Sequence, residues 1–184
     1  MIEIMSDDLL SLLSGFEHVE RRCAAGQFLF RQGDPVRRLY VVRTGEVHLV
    51  RYQPGGSALT LQRAGGGSVL AEASLFSEHY HCDGVARGTA EVSAIAKSRV
   101  RAAFANDPGF AEAWCRHFGR EVQAARLRAE ILTLRTVSER LDAWLASNGG
   151  RMPPKGDWKS IAAEIGTSPE ALYRELARRR QTVG

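Results

Sequence analysis

The stretch RLYVVRTGEVHLVRY, residues 38–52, decides the fold of this chain. It holds two runs of β-branched and aromatic residues on either side of Gly45, which is typical of short strands separated by a glycine turn. Alternate residues of the second run are expected on opposite faces of a strand, with Val47, Leu49 and Arg51 on one face and His48, Val50 and Tyr52 on the other. This alternation predicts a half-buried strand.

Similar short runs continue on both sides of this stretch, from about Val19 to Ala96. They include GQFLF at residues 26–30, ALTLQRAGGG at 58–67 and TAEVSAIA at 89–96, with RQGD and PGG as turns. Short strands with turn signals every ~8 to 12 residues are typical of an antiparallel barrel or roll. The first half of the chain is therefore predicted to be a β-roll, preceded by a short amphipathic helix from Met1 to Ser14.

The composition is that of an ordinary folded protein. Of 184 residues, 44% are apolar and 25% are charged, which excludes a disordered chain. No apolar run reaches the roughly 18 residues that a membrane-spanning helix needs, so a cytoplasmic protein is expected. Cys23, Cys82 and Cys115 are widely separated and odd in number, so we predict buried free thiols instead of disulfides or a thiolate-bound metal.

A helical period replaces the strand pattern at Asn106-Asp107-Pro108, where a capping side chain precedes a proline suited to the first turn. Apolar residues then recur every three or four positions: Phe110, Trp114, Phe118, Val122, Ala125, Ala129 and Leu132. Further small and apolar side chains widen this surface beyond what packing on a roll requires. We therefore predict that the helix pairs with its copy in a parallel two-fold dimer.

Two short helices close the chain, after a helix that runs from Ser138 to about Ala146. The first, WKSIAAEIG at residues 158–166, is expected to begin at a capping Asp157 and to end at Gly166. The second, EALYRELARRR at 170–180, follows a turn in which Ser168 is the expected cap and Pro169 the first helical residue. Two helices joined by a glycine-containing turn of about four residues form a helix-turn-helix.

The second of these helices has the chemistry of a DNA-recognition helix. Arg174 can pair with guanine, Glu170 can accept from cytosine, and Ser168 suits a phosphate oxygen. Residues 151–184 hold seven Lys and Arg against four Asp and Glu, so +3 of the net charge of +4 lies in this segment. An ordinary helical hairpin with solvated arginines is the alternative that this segment alone leaves open.

A roll, a long helix and a helix-turn-helix in this order resemble the Crp/Fnr family of bacterial transcription regulators over the whole chain. The segments that carry the resemblance are FLFRQGD (28–34), YVVRTGEVHLV (40–50), LAEASLF (70–76) and TSPEALYR (167–174). It implies an α+β fold that begins with an antiparallel β-roll, also described as a double-stranded β-helix or jelly roll.

The resemblance divides the chain into three parts. They are a cyclic-nucleotide-binding-like effector β-roll at 1–106, a dimerisation helix at 107–135 and a DNA-binding helix-turn-helix of the winged-helix type at 136–184. Only four residues, Gln181 to Gly184, follow the arginines. The wing is therefore expected to be short or missing, either because it is lost or because the chain is a truncated form, and weaker DNA binding would follow.

The predicted DNA-binding residues are Thr167, Ser168, Pro169, Glu170, Tyr173, Arg174 and Arg178. The resemblance implies that Glu170 and Arg174 stand where the family's base-reading Glu and second Arg stand, and Ser168 where its phosphate-contacting Ser stands. Pro169 stands where the family has an arginine, so the preferred DNA sequence is expected to differ from that of the catabolite activator. The implied partners are a palindromic double-stranded operator, a second copy of the chain and, as a candidate, RNA polymerase.

The resemblance also implies an effector pocket, formed by Glu72, Ala73, Ser74, His81, Cys82 and Asp83. In members that bind cyclic nucleotides, a glutamate holds the ribose and an arginine neutralises the phosphate. Here Glu72 is present, but Ala71 replaces a glycine and residues 77–86 contain no Lys or Arg. Asp83 would place a second negative charge opposite the phosphate, and Arg87 is the only cation nearby in the sequence that could neutralise it. Cyclic AMP is therefore not expected to be the effector.

His79, His81 and Cys82 form a candidate metal or haem site. A His-x-His pair on a strand places both imidazoles on one face, as a metal requires. Hydrogen-bonded histidines are nevertheless more common than metal ligands, so no metal and no cofactor is assigned.

The sequence also bears on three alternatives: an iron-sulfur oxygen sensor, an enzyme and a protein-binding module. The Fnr-type cluster of N-terminal cysteines is missing, since only Cys23 lies in that region. A cupin enzyme would need a glutamate three or four positions after His81, where Gly84 and Val85 stand, so the chain is not expected to be an enzyme. A regulatory module that binds a protein instead of DNA is the remaining alternative.

Overall fold

The computed structural model describes residues 7–53, 55 and 58–182. Within these residues the chain forms eight strands: β1 His18–Cys23, β2 Phe28–Phe30, β3 Arg38–Thr44, β4 Val47–Tyr52, β5 Ala58–Ala64, β6 Val69–Leu70, β7 Asp83–Ala86 and β8 Ala90–Ala96. The α-helices are α1 Asp7–Ser14, α2 Lys97–Asn106, α3 Pro108–Thr133, α4 Val137–Ser147, α5 Trp158–Glu164 and α6 Pro169–Thr182. The predicted first helix agrees with α1, and its part before Asp7 lies outside the described residues.

The strands form two four-stranded antiparallel sheets. Their orders are β1-β8-β3-β6 and β2-β7-β4-β5. A core of valine, leucine, alanine and aromatic side chains, among them Val42, Val47 and Leu70, is contributed by strands of both sheets. The predicted antiparallel β-roll followed by helices is confirmed.

The turn between β3 and β4 requires a glycine. Gly45 has a φ of +79°, and a Cβ at this position would lie 2.3 Å from the carbonyl oxygen of Thr89 and 2.7 Å from the Cα of Ala90. Only a residue without a side chain allows the hairpin to lie this close to the chain between β7 and β8.

The prediction of a half-buried β4 is wrong for the first four residues of the strand. Val47, His48, Leu49 and Val50 are all buried, and only the two residues after them are exposed. His48 is tolerated inside because Glu46 Oε1 lies 2.5 Å from its Nε2. These four residues alternate between the two faces of the strand, so both faces of β4, an inner strand of its sheet, are buried over this length.

Two consecutive helices follow the roll, where one was predicted. Helix α2 was missed because it carries a single buried residue, Val100, and so lacks a continuous apolar stripe. Asp107 then caps α3 as predicted, with its Oδ1 accepting from the amides of Gly109 at 2.9 Å and Phe110 at 3.1 Å. The chain divides into two compact units between His117 and Phe118, so α3 contributes to both.

The second unit contains the end of α3 and helices α4 to α6. Thr136 and Glu139 form a capping box at the start of α4. The core of this unit consists of Ile131, Leu141, Ile161, Ala162, Ile165, Leu172 and Leu176. Asp157 was predicted to cap α5, but its side chain makes no capping bond, because a short 3-10 helix at Lys155–Asp157 leads directly into α5.

The three cysteines are free, as predicted, but they differ in burial. Cys23 and Cys82 are buried, whereas Cys115 is exposed on α3. The prediction of a buried thiol is therefore wrong for Cys115.

Candidate functional site

A cavity of about 180 Å³ lies inside the β-roll. It is lined by Phe30, Leu49, Leu61, Gln62, Ala71, Glu72, Ala73, Ser74, His81 and Cys82. A 3-10 helix at Glu72–Ser74 forms one wall, and the segment that leads into β7 forms another. The cavity thus combines apolar side chains with a few polar groups, as ligand sites do.

An aromatic stack fixes the segment between the 3-10 helix and β7. The ring of Tyr80 stacks on Phe30 at 4.1 Å, and Phe30 stacks in turn on Tyr40 at 5.5 Å. The Tyr80 hydroxyl donates to the carbonyl of Arg38 at 2.6 Å, and burial raises the pKa of this hydroxyl. Gly84 leaves room for the stack, since a Cβ there would lie 2.7 Å from the Phe30 ring.

The backbone at Ala71 is strained. Its φ of +65° and ψ of +16° place it in the left-handed region, at the start of the 3-10 helix that carries Glu72 and Ser74. This conformation costs an alanine about 1–2 kcal/mol. The strain explains why a glycine is expected at this position. Ala71 nevertheless adopts the left-handed conformation that a glycine would adopt.

The polar side chains of the cavity are coupled through His81. Ser74 Oγ lies 3.2 Å from His81 Nδ1, and Arg51 Nη2 donates to the carbonyl of His81 at 3.2 Å. Burial lowers the pKa of His81, and the positive charge of Arg51 lowers it further. Burial raises the pKa of the Cys82 thiol to about 11, so this thiol is protonated at neutral pH.

Five of the six predicted pocket residues line this cavity: Glu72, Ala73, Ser74, His81 and Cys82. Asp83 does not, because its Oδ1 accepts from the amide of Gln32 at 2.7 Å. Arg87 is exposed at the opposite end of β7, where its amide bonds to the carbonyl of Glu46. Arg51 on β4 lies beside the cavity, where it bonds to His81, and sequence reasoning missed it because the two residues are 30 positions apart in the chain.

His79 and His81 do not form the predicted His-x-His face of a strand. His79 is exposed and makes an isolated bridge with Pro35, and β7 begins only at Asp83. Only His81 lines the cavity. In the part of the chain that the structure describes, no three His, Cys, Asp or Glu side chains are grouped as a metal site would require.

The turn between α5 and α6 is closed by backbone hydrogen bonds. The Thr167 amide donates to the Ala162 carbonyl at 2.8 Å and the Gly166 amide to that of Ala163 at 3.3 Å, with Gly166 at a φ of +64°. This is the Schellman pattern of a helix C-terminus. Ser168 then caps α6 as predicted, since its Oγ accepts from the Ala171 amide at 3.2 Å.

The first turns of α6 present charged side chains to solvent. Glu170, Arg174 and Arg178 recur every four residues and are all exposed. The pKa of Glu170 is lowered by its own backbone amide, by the Ser168 hydroxyl and by Arg174. The start of α6 therefore carries a negative and a positive group side by side, one turn apart.

Other predicted DNA-binding residues have partners within the fold. The ring of Tyr173 packs against that of Trp158 at 5.7 Å. Arg178 donates to Glu175 through Nε at 2.9 Å and Nη2 at 2.8 Å. Arg179 bonds to Glu175 at 2.7 Å and to Asp142 at 2.6 Å. The charges of Arg178 and Arg179 are thus partly offset by Glu175 and Asp142, although Arg178 stays exposed, and the sequence did not indicate these pairs.

Helix α3 keeps an apolar surface after its first turns. Phe110 and Trp114 are buried, with Phe110 packed against Phe16. Val122 and Leu132 of the predicted stripe, in contrast, are 43% and 44% exposed, and Ala125 and Ala129 are exposed as well. No helix of the described ranges has the length and apolar character needed to cross a membrane.

The comparisons with known proteins agree with this architecture. Residues 20–107 match the cyclic nucleotide-binding domain. The N-terminal domain of a transcriptional regulator from Streptomyces coelicolor is 30% identical, with 65% of this chain and 86% of that chain covered and a TM-score of 0.52. This protein thus belongs to the proteins with a cyclic nucleotide-binding domain, and its fold is that of the Crp/Fnr regulators.

Two further structures extend the likeness to nearly the whole chain. FixK2 from Bradyrhizobium japonicum has a TM-score of 0.71 at 18% identity and covers 91% of this chain and 86% of its own. The catabolite activator protein of Thermus thermophilus has a TM-score of 0.53 at 23% identity and covers 99% and 85%. At such identities the likeness concerns the fold alone. The search of curated proteins gave no match.

The resemblance stated from the sequence is thereby confirmed. The structural homologues are transcription regulators of the Crp/Fnr type and not enzymes. The residues that would bind DNA or an effector remain predictions.

Proposed function

We propose that this protein is a homodimeric, cytoplasmic transcription regulator that binds DNA through α5 and α6. The observation that carries the proposal is the exposed start of α6, where Glu170 and Arg174 lie one turn apart on a helix capped by Ser168. The N-terminal residues of a recognition helix are those that reach base edges in the major groove.

The roles of the α6 side chains follow from their surroundings. Arg174 is exposed and lies four residues after Glu170, near enough for its charge to lower the pKa of that carboxyl. It can therefore turn to guanine, while Glu170 can accept from cytosine. We expect Thr167, Ser168 and Pro169, at the turn, to approach the phosphate backbone.

The remaining two predicted contacts are expected to contribute less. Tyr173 is half-buried against Trp158, so it orients α6 and approaches DNA only with its hydroxyl edge. Arg178 is held by both oxygens of Glu175. Its contribution to phosphate attraction is offset by that carboxylate.

The dimer is proposed from the apolar surface of α3. Val122, Ala125, Ala129 and Leu132 are exposed in the single chain, and a second copy of the same helix would cover them in a parallel two-fold arrangement. A two-fold dimer would place two copies of α6 in successive major grooves of a palindromic operator, about 34 Å apart.

The cavity of the β-roll is proposed as the effector site. Its volume of about 180 Å³ is below the ≈ 300 Å³ at which sites for drug-sized ligands begin, which favours a small effector. Arg51 supplies a positive charge at its edge through the contact with His81. Effector binding would act by shifting the population of two dimer forms with different orientations of the DNA-binding units.

A binding selection on random duplex DNA tests the proposal. The full chain is expected to enrich a palindromic sequence, and sedimentation is expected to show a dimer that a Val122→Glu substitution separates into monomers. Selection of no sequence, together with salt-independent weak binding, would contradict DNA recognition. Capture of DNA by a protein that remains monomeric would contradict the dimer alone.

A further inference from the structure

Arg140, in the first turn of α4, bonds to the backbone at two separate places. Its Nε donates to the carbonyl of Leu134 at 2.9 Å, and Nη2 lies 3.5 Å from that of Leu132. Its Nη1 donates to the carbonyls of Gly166 at 2.9 Å and Ile165 at 3.3 Å. One side chain therefore joins the end of α3 to the turn before α6.

Both places are helix C-termini. Leu132 lies in the last turn of α3, and Ile165 directly follows α5. The last carbonyls of a helix have no partner within it and carry its partial negative charge, which a cation stabilises. A guanidinium can serve both ends at once because its donors point in several fixed directions, which an ammonium cannot do.

A second observation shows that these two places are packed together. A Cβ on Gly166 would lie 2.3 Å from Cδ2 of Leu132, so the turn approaches the end of α3 as closely as a backbone without a side chain allows. Ile131 of α3 is 3% exposed and shares a core with Ile165 and Leu172. The last turn of α3 and the helices α4 to α6 therefore form one packed body within the second unit.

We propose that Arg140 is a positioning residue for DNA binding. It fixes the angle between the end of α3 and α6, and in a dimer built on α3 this angle sets the direction and the spacing of the two recognition helices. The inference rests on the proposed function, and Arg140 itself contacts no DNA. It acts through the Leu134 and Gly166 carbonyls.

The test compares an isolated half-site duplex with the full palindrome obtained from the selection. Arg140→Met removes the positive charge. Arg140→Lys keeps the charge but loses the guanidinium, whose donors point in several fixed directions. Both variants are expected to bind the half-site like the unaltered protein. Their affinity for the palindrome should be about tenfold lower than that of the unaltered protein, a loss within the usual range of coupling between two binding sites. They should also bind palindromes with altered half-site spacing better, relative to the original spacing, than the unaltered protein does. Circular dichroism verifies that they fold.

Arg135→Met is the matched control, because Arg135 is an exposed arginine of the same connection. Equal losses on both duplexes would mean that Arg140 supports the fold or the contact surface and would overturn the inference, as would no loss on either. If the unaltered chain bound no DNA, the proposed function would fail. Hydrogen exchange of the Thr167 amide would then test the positioning role of Arg140. Arg140→Met should make this exchange faster, and an unchanged rate would overturn the inference.

Discussion

Gly166 lies in direct contact with Leu132, so that a Cβ on the glycine would come within 2.3 Å of Cδ2 of the leucine. The glycine also has a φ of +64°, in the region that side chains disfavour. The turn before α6 therefore needs a glycine for two independent reasons, one local and one tertiary.

Gly166→Ala is expected to lower the free energy of unfolding by at least about 1–2 kcal/mol, from the left-handed backbone alone. The clash with Leu132 adds to this loss. Gly156→Ala is the control, because a Cβ there meets no atom within 4 Å and no positive φ is required. Urea denaturation of both variants measures the difference, and equal stability of the two would contradict the packing described.

Arg174→Ala should weaken binding to the selected operator by about 1–3 kcal/mol and relax the base preference at one position per half-site. The physical reason is the loss of a bidentate pair with one base. Arg63→Ala, at an exposed arginine of β5, should leave DNA binding unchanged. A uniform loss over all sequences in a competition assay would assign Arg174 to phosphate instead of bases.

Ala71→Gly is expected to stabilise the β-roll by about 0.5–1 kcal/mol. Relief of the left-handed strain outweighs the entropy that a glycine loses on folding. Ala73→Gly, two residues later in the 3-10 helix, should have the opposite sign, since no positive φ is relieved there. Denaturation curves of the two variants distinguish the cases, and destabilisation by both would show that Ala71 carries no strain.

Arg51→Gln is expected to raise the pKa of His81, because it removes the nearby positive charge that opposes protonation. The pKa should still stay below 6.5, since burial is the larger cause of its lowering and is unaffected. Titration of the imidazole resonances by NMR provides the measurement. Arg63→Gln should cause no change, and a His81 pKa that does not respond to Arg51→Gln would place the guanidinium away from the cavity.

Glu175 should make the second unit sensitive to acid. Its hydrogen bond with Arg178, followed by that with Arg179, lowers the carboxyl pKa from 4.5 to about 2. The stability that the carboxylate contributes is thus present above pH 4.5 and lost as the pH falls towards about 2. Glu175→Gln should be destabilising at pH 7, and its difference from the unaltered protein should shrink over that window. A constant difference would contradict the lowered pKa.

Much of the helical part could be predicted because its signals are local. Ser168 and Pro169 mark the start of α6, Asp107 caps α3, and Gly166 ends α5, each through a side chain or φ angle that acts within a few residues. Helix α2 escaped prediction because a single buried residue, Val100, anchors it. Local signals failed at Asp157 for a similar reason, since a 3-10 helix replaced the expected cap.

The candidate effector site was predicted only in part. Five of its residues lie in one segment of the chain and could be named together. Arg51 was not predicted there, because its place beside His81 depends on the pairing of β4 with β7. Asp83 was predicted to line the cavity but bonds to the Gln32 amide instead. Sequence separation hides such neighbours.

The sequence by itself determined the order of the parts, a roll, a long helix and two short helices around a glycine turn, because strand alternation, helical period and capping are short-range properties. The tertiary structure decided which charges remain available. Arg178 and Arg179 are hydrogen-bonded to Glu175, whereas Arg174 remains exposed. Arg140 bonds to the C-terminal ends of two helices. Partners such as these are set by three-dimensional packing, over distances in the chain that no local pattern spans.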